Sequence, residues 1–182
     1  MLLGKEKRIL PEVPKDELEA LKVFYKHFFE IRIEETEVSK SQMKLKEFPE
    51  IFYVDPEIPE EIIVLVMCQH FPTITALYTN ISSLISKEIE NSRYGGWIEI
   101  KNDSNQSTKN GITLRERLLI ELYYFWKYKK HFETSTMTLC DGSRHLDGAT
   151  PFTCWDGAMF WINWCEPPHT ADNLRFREII NL

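Results

Sequence analysis

Glycine is scarce, with seven in 182 residues. No G-x-G-x-x-G or G-x-x-x-x-G-K-[ST] run occurs, so a loop that cradles phosphate is not expected. H-E-x-x-H and G-x-S-x-G are also missing, which removes the commonest zinc-protease and hydrolase signatures. Positive charge is in short supply. The 22 Lys and Arg face 28 Asp and Glu, a net charge of −6, so the broad basic surface of a nucleic-acid binder is absent. Long apolar runs are missing as well. The most apolar stretch, Ile62 to Cys68, is far shorter than the roughly 20 residues of a membrane span. The first residues, Met1-Leu2-Leu3-Gly4-Lys5, lack the apolar centre of a secretory signal. A cytoplasmic location with reduced thiols is therefore expected, and no membrane partner.

What is present is a core-forming chain. Apolar side chains make up 43% and aromatics 13%, including five Trp, too much for a disordered or low-complexity protein. One domain over 1–182 is expected, with no internal repeat. Its parts would be a loose leader over 1–13, a mainly helical stretch over 14–131 and an antiparallel β region over 134–182. The expected class is α+β: a helical N-terminal two-thirds packed on a small C-terminal antiparallel sheet, a meander with Asp-Gly turns.

The helices carry their own punctuation. Asp16 precedes Leu18, Leu21, Tyr25 and Phe28, which share one helical face, flanked by Phe24 and Phe29. Ile31 and Ile33 alternate with charges and allow a short strand. Residues 34–50 are charged and aperiodic, a candidate linker. Pro59-Glu60-Glu61 reads as a helix start, which favours helix over strand for Ile62 to Cys68, and Pro72 ends it. A further helix is expected from Thr73 to Ile89, stopped by Gly95-Gly96. Trp97 to Lys101 reads as a strand, with Glu99 and Lys101 facing solvent around Ile98 and Ile100. Residues 102–111 read as a polar loop. Thr113-Leu-Arg-Glu116 has the spacing of a capping box and should open a helix to about Lys130. Leu118, Leu119, Leu122, Tyr123 and Trp126 should point inward. Lys127, Lys129 and Lys130 then fall at its solvated C-terminal end.

Three Asp-Gly pairs, at 141–142, 147–148 and 156–157, punctuate the last fifty residues. Asp-Gly suits two-residue hairpin turns. A two-residue turn at Asp156-Gly157 would pair Trp155 with Ala158, Cys154 with Met159 and Phe152 with Trp161. One face would then hold Phe152, Cys154, Met159, Trp161, Asn163 and Cys165. The other would hold Trp155, Ala158, Phe160, Ile162 and Trp164. Both faces are apolar, so the hairpin is either buried on both sides or leaves one side as an aromatic platform. A last strand or short helix is expected over Leu174 to Ile180.

The densest polar cluster runs from Cys140 to Asp147. Cys140, His145 and Asp147 have the residue types of a thiol–imidazole–carboxylate site. Cys140, Cys154, Cys165 and His169 have the types of a zinc site, but no Cys-x-x-Cys knuckle is present and no metal or other cofactor is called for. Arg144, Trp155, Trp161, Asn163 and Trp164 are the candidate ligand-binding residues. The preferred reading is a non-enzymatic binding protein that uses its aromatic C-terminal β surface, with a protein as partner. Two alternatives stand beside it: a small enzyme with a thiol or metal site near Cys140, His145 and Asp147, and an acidic inhibitor or immunity-type protein. The sequence carries no signal for oligomeric state.

Overall fold

A computed structural model describes residues 10–34, 51–71, 81–86, 96–101, 110–166 and 172–182. Among them the chain mixes helices and strands in the order α1 (Glu17–Phe29), β1 (Ile51–Val54), α2 (Glu60–His70), α3 (Ile81–Leu84), β2 (Gly96–Ile100), α4 (Leu114–Tyr128), β3 (Met137–Leu139), β4 (Thr150–Trp155), β5 (Phe160–Cys165), β6 (Leu174–Phe176) and β7 (Ile179–Asn181).

This order overturns the expected division into a helical front and one C-terminal antiparallel meander. Among the described residues there are two sheets. The first, ordered β1-β2-β7, is antiparallel and gathers its strands from the middle and the end of the chain. The second is ordered β5-β4-β3-β6. Its β3-β4-β5 part is an antiparallel meander, but β6 runs parallel to β3. Side-chain alternation is the same for parallel and antiparallel strands, so the pattern alone could not decide direction. The expected last element is two strands. After β6 the chain turns at Arg177-Glu178 and enters the other sheet as β7. Strand β1 was not anticipated, although Ile51-Phe52-Tyr53-Val54 has the β-branched and aromatic make-up of one. Conversely, no strand forms at Ile31 to Ile33. Glu30 takes a left-handed conformation, the Ile31 amide bonds back to the Tyr25 carbonyl, and Ile33 is buried without strand pairing.

The helices start where their caps direct. Asp16 Oδ1 accepts from the Glu19 amide at 3.0 Å, and α1 begins at the next residue. Of its expected stripe, Leu18, Leu21 and Tyr25 are buried, whereas Phe28 is only half-buried and Phe24 is fully buried instead. Pro59 precedes α2 in extended conformation, and the Ile62 to Cys68 run is helix. At Thr113 the capping box forms in both directions, with Thr113 Oγ1 accepting from the Glu116 amide and Glu116 Oε2 accepting from the Thr113 amide. Of the helix expected over 73–89, only 81–86 lies within the described residues, where Ile81–Leu84 is helical and Ile85 bridges to His145. Most of the leader, the 34–50 linker and the 102–111 loop lie outside them.

Helix α4 is the hub. Leu114 and Glu116 to Tyr123 are all buried, so its first turns are enclosed on every side. Tyr123 meets Phe24 of α1 and Phe52 of β1, with ring centroids 5.2 and 5.4 Å apart. Glu17, at the start of α1, accepts from the Tyr123 hydroxyl at 2.6 Å and pairs with Lys127. Arg115 ties α4 to α2 by a 2.9 Å ion pair with buried Glu60. On the side of the second sheet, the Arg117 guanidinium lies over the Phe160 ring. One apolar cluster therefore runs from Leu18 to Ile179 through α4.

Candidate interaction surface on the second sheet

The β4–β5 hairpin turns through four residues, Asp156 to Met159, because the last ladder pair is Trp155 with Phe160. The expected two-residue turn is thus corrected. Asp156 organises the wider loop: its Oδ1 accepts from the amides of Ala158 and Met159, and Gly157 takes φ +93°. The register moves by two positions, which moves Ala158 and Met159 into the turn but leaves the side chains of β4 and β5 on their expected faces, because only an odd slip exchanges faces. Phe160, Ile162 and Thr153 point inward and are buried, and Trp155 and Trp164 lie half-buried at the ends of that face. Phe152, Cys154, Trp161 and Cys165 point outward and are half-buried, and Asn163 among them is exposed.

The outward face is graded. Over β3 and β6 it closes into a small cluster of Leu139, Leu174 and Phe176, flanked by Met137, Phe152 and Cys165. Towards β5 it opens at Trp161 and Asn163. Trp161 is held in place there: its indole Nε1 donates to Asp156 Oδ2 at 2.6 Å. The Met159 and Ala158 amides, and after them this indole bond, hold the Asp156 carboxyl below the usual range. The exposed amide of Asn163 carries no burial cost, and its Oδ1 accepts from the Trp164 amide.

The edge of β5 is not an open template. Pro151 O accepts from the Cys140 amide, so Pro151 and Thr153 direct their backbone groups towards β3. Their partners Trp164 and Ile162, and Phe160 with them, then direct theirs away from the sheet. Phe160 and Ile162 are nevertheless only 1% exposed, so solvent does not reach the middle of that edge.

The Cys140–Asp147 cluster does structural work. Ten residues, 140 to 149, separate β3 from β4, so Asp141-Gly142 is not a two-residue hairpin turn. The Cys140 carbonyl accepts from the Ser143 amide, and the Gly142 amide donates to Ile112 O. A Cβ on Gly142 would fall 2.2 Å from Gly111 O, so only glycine fits this crossing. Buried Ser143 Oγ accepts from the Leu114 amide at 2.9 Å and so helps cap α4. Arg144 Nη1 donates to the carbonyls of Asp141 and Ser143, each at 2.7 Å, which makes it a loop brace. Asp147 Oδ1 accepts from the Ala149 amide and lies 2.6 Å from His145 Nδ1, on an exposed turn with Gly148 at φ +93°. The Ala149 amide first, and then His145, hold the Asp147 carboxyl below its usual range. The His145 ring meets Trp164 edge-on at 4.8 Å. Leu146, at the turn's tip, is 68% exposed.

Cys140 is fully buried, and burial pushes its thiol well up, with Arg117 opposing without cancelling. A thiolate nucleophile needs the reverse. Burial likewise raises Cys154, and raises Cys165 to about 11. Cys154 and Cys165 share the outward face but sit at opposite ends of the hairpin. Among the described residues no group of three or more His, Cys, Asp or Glu could hold a metal ion; His169 lies outside them.

A buried charged cluster joins α4 to the second sheet, and sequence reasoning missed it. Arg117 pairs with Glu121 at 2.8 Å, both essentially without solvent exposure. Glu121 Oε1 lies 2.7 Å from His131 Nδ1, and the His131 ring stacks on Trp155 at 3.7 Å. Glu133 accepts from Thr138 and pairs with Arg177. Burial opposes ionisation of Glu133, but Arg117, Arg177 and the Thr138 hydroxyl together hold its carboxyl below the usual range. Both guanidiniums lie 5.0 Å from the Phe132 ring centroid. These residues wire α4 to β3 and to the β6–β7 turn. The one local signal was the i, i+4 spacing of Arg117 and Glu121 around the apolar run Leu118-Leu119-Ile120.

No protein-family model, curated protein or solved structure matches this chain. Among the described residues no helix is long and apolar enough to cross a membrane.

Proposed function

We propose that this chain is a non-enzymatic binding protein whose contact surface is the outward, β5 side of the second sheet, with a protein as partner. The observation that carries the reading is Trp161. A half-exposed indole stands on a sheet face with its Nε1 fastened to Asp156, so docking a partner on it immobilises little further. Asn163 beside it supplies an exposed amide, and exposed Asp156 and Glu166 border the strand. A partner with an apolar pocket and a basic rim complements that arrangement.

The test separates binding from folding. Trp161→Ala and Trp155→Ala are compared for thermal melting and for the partners cross-linked to the protein in native cells. Trp155 stacks on His131 at the buried junction, so its loss should lower the melting temperature. Trp161→Ala should melt close to the parent protein and lose the cross-linked partner. Retention of the same partners by a folded Trp161→Ala protein removes this surface as the docking site.

A further inference from the structure

A groove runs along α1. The adjacent pairs Lys22-Val23 and Lys26-His27 lie four positions apart, with Glu30 at the helix's C-cap a further turn on, so they share one side of it. The chain on either side of the helix returns to that side, with Arg32 and Ile33 at one end. Together they help to wall a groove of about 740 Å³, inside the range of about 300–1,000 Å³ typical of small-molecule sites. Val23 and Ile33 give it an apolar wall. Three cations, Lys22, Lys26 and Arg32, face one carboxylate, Glu30, although the chain as a whole is acidic. Lys22 is engaged by Glu19 at 2.7 Å. Lys26 and Arg32 are exposed and make no ion pair among the described residues.

We propose that this groove binds a small amphiphilic anion: an apolar body against Val23 and Ile33, ending in a carboxylate or phosphate between Lys26 and Arg32. The apolar wall supplies the burial, and the two uncommitted cations supply charge complementarity and orientation. Nothing in the proposal depends on the Trp161 surface, and either can fail alone.

The full chain is titrated by calorimetry with decanoate, decyl phosphate and decanol, each below its aggregation threshold. Saturable binding of one or both anions is expected, with decanol at least tenfold weaker. The stronger of the two anions identifies the headgroup. Lys26→Glu and Arg32→Glu are exposed substitutions that should leave the melting temperature unchanged and weaken anion binding about tenfold or more each. The proposal is overturned by absence of saturable anion binding up to about 1 mM, by decanol binding as tightly as the anions, or by charge-reversed proteins that bind like the parent. Should a charge reversal unfold the protein, Lys26→Gln and Arg32→Gln give the same comparison.

Discussion

The junction of α4 with the second sheet and the aspartate turns at 147 and 156 both rest on carboxylates, and they use them in opposite ways. At the turns, Asp147 and Asp156 are exposed and satisfy amides two or three residues away. At the junction, Glu121 and Glu133 are buried: Glu121 pairs with Arg117 of its own helix and with His131 beyond it, and Glu133 answers Thr138 and Arg177 brought from other elements. An exposed carboxylate organises its own loop and can be lost at local cost. A buried one is held by its partners, and removing a partner strands a charge out of water.

That contrast can be broken most severely at Arg117. Arg117→Met keeps much of the volume but leaves Glu121 and Glu133 without their shared cation, and should cost about 3–5 kcal/mol, read as a lower denaturation midpoint. An unchanged midpoint would mean that the junction charges are not coupled. Leu122→Ala gives the apolar reference on the same helix; with Leu122 fully buried, a loss of about 2–5 kcal/mol is expected. If it exceeds the Arg117 effect clearly, packing rather than charge dominates the junction. Gly142→Ala sets a side chain against the Gly111–Thr113 backbone and should cost about 1–3 kcal/mol, with near-parental stability refuting the close crossing. Thr113→Ala removes half of the capping box and should cost about 1 kcal/mol. The smallest effect belongs to the turns. Because Asp156 titrates below the usual range when folded, its contribution is complete above that range and is lost as pH falls through the folded value. The stability difference between the parent and Asp156→Asn should therefore shrink on acidification below the usual aspartate range. A difference that grows there would reverse the assignment.

Legibility followed distance along the chain. Asp16, Thr113 and Glu116 were readable as caps because each partner lies three residues away. The face assignment of the hairpin survived an error in its turn because the two-residue slip preserved alternation. Residue types alone made the Cys140–Asp147 cluster a candidate for chemistry, and the contacts its residues make in the fold are those of a braced loop. His145 and Asp147 do meet on the exposed turn, but Ser143 is spent on the Leu114 amide and Arg144 on loop carbonyls, and no sequence pattern announces those partners. Strand β1 is only four residues long, too short a run for alternation to mark it between the charged stretch before it and the prolines after it.

Periodicity and cap spacing suffice to place α1, α2 and α4, the inward and outward faces of β4 and β5, and the residues of α4 that meet the core, since these depend on neighbours within one or two turns. Folding alone decided that β7 joins β2, that β6 runs parallel to β3, and that Arg177 meets Glu133 across 44 positions of chain. Such contacts depend on which distant surfaces bury one another and which buried charges find a counter-charge there, and no local pattern of residues encodes that choice.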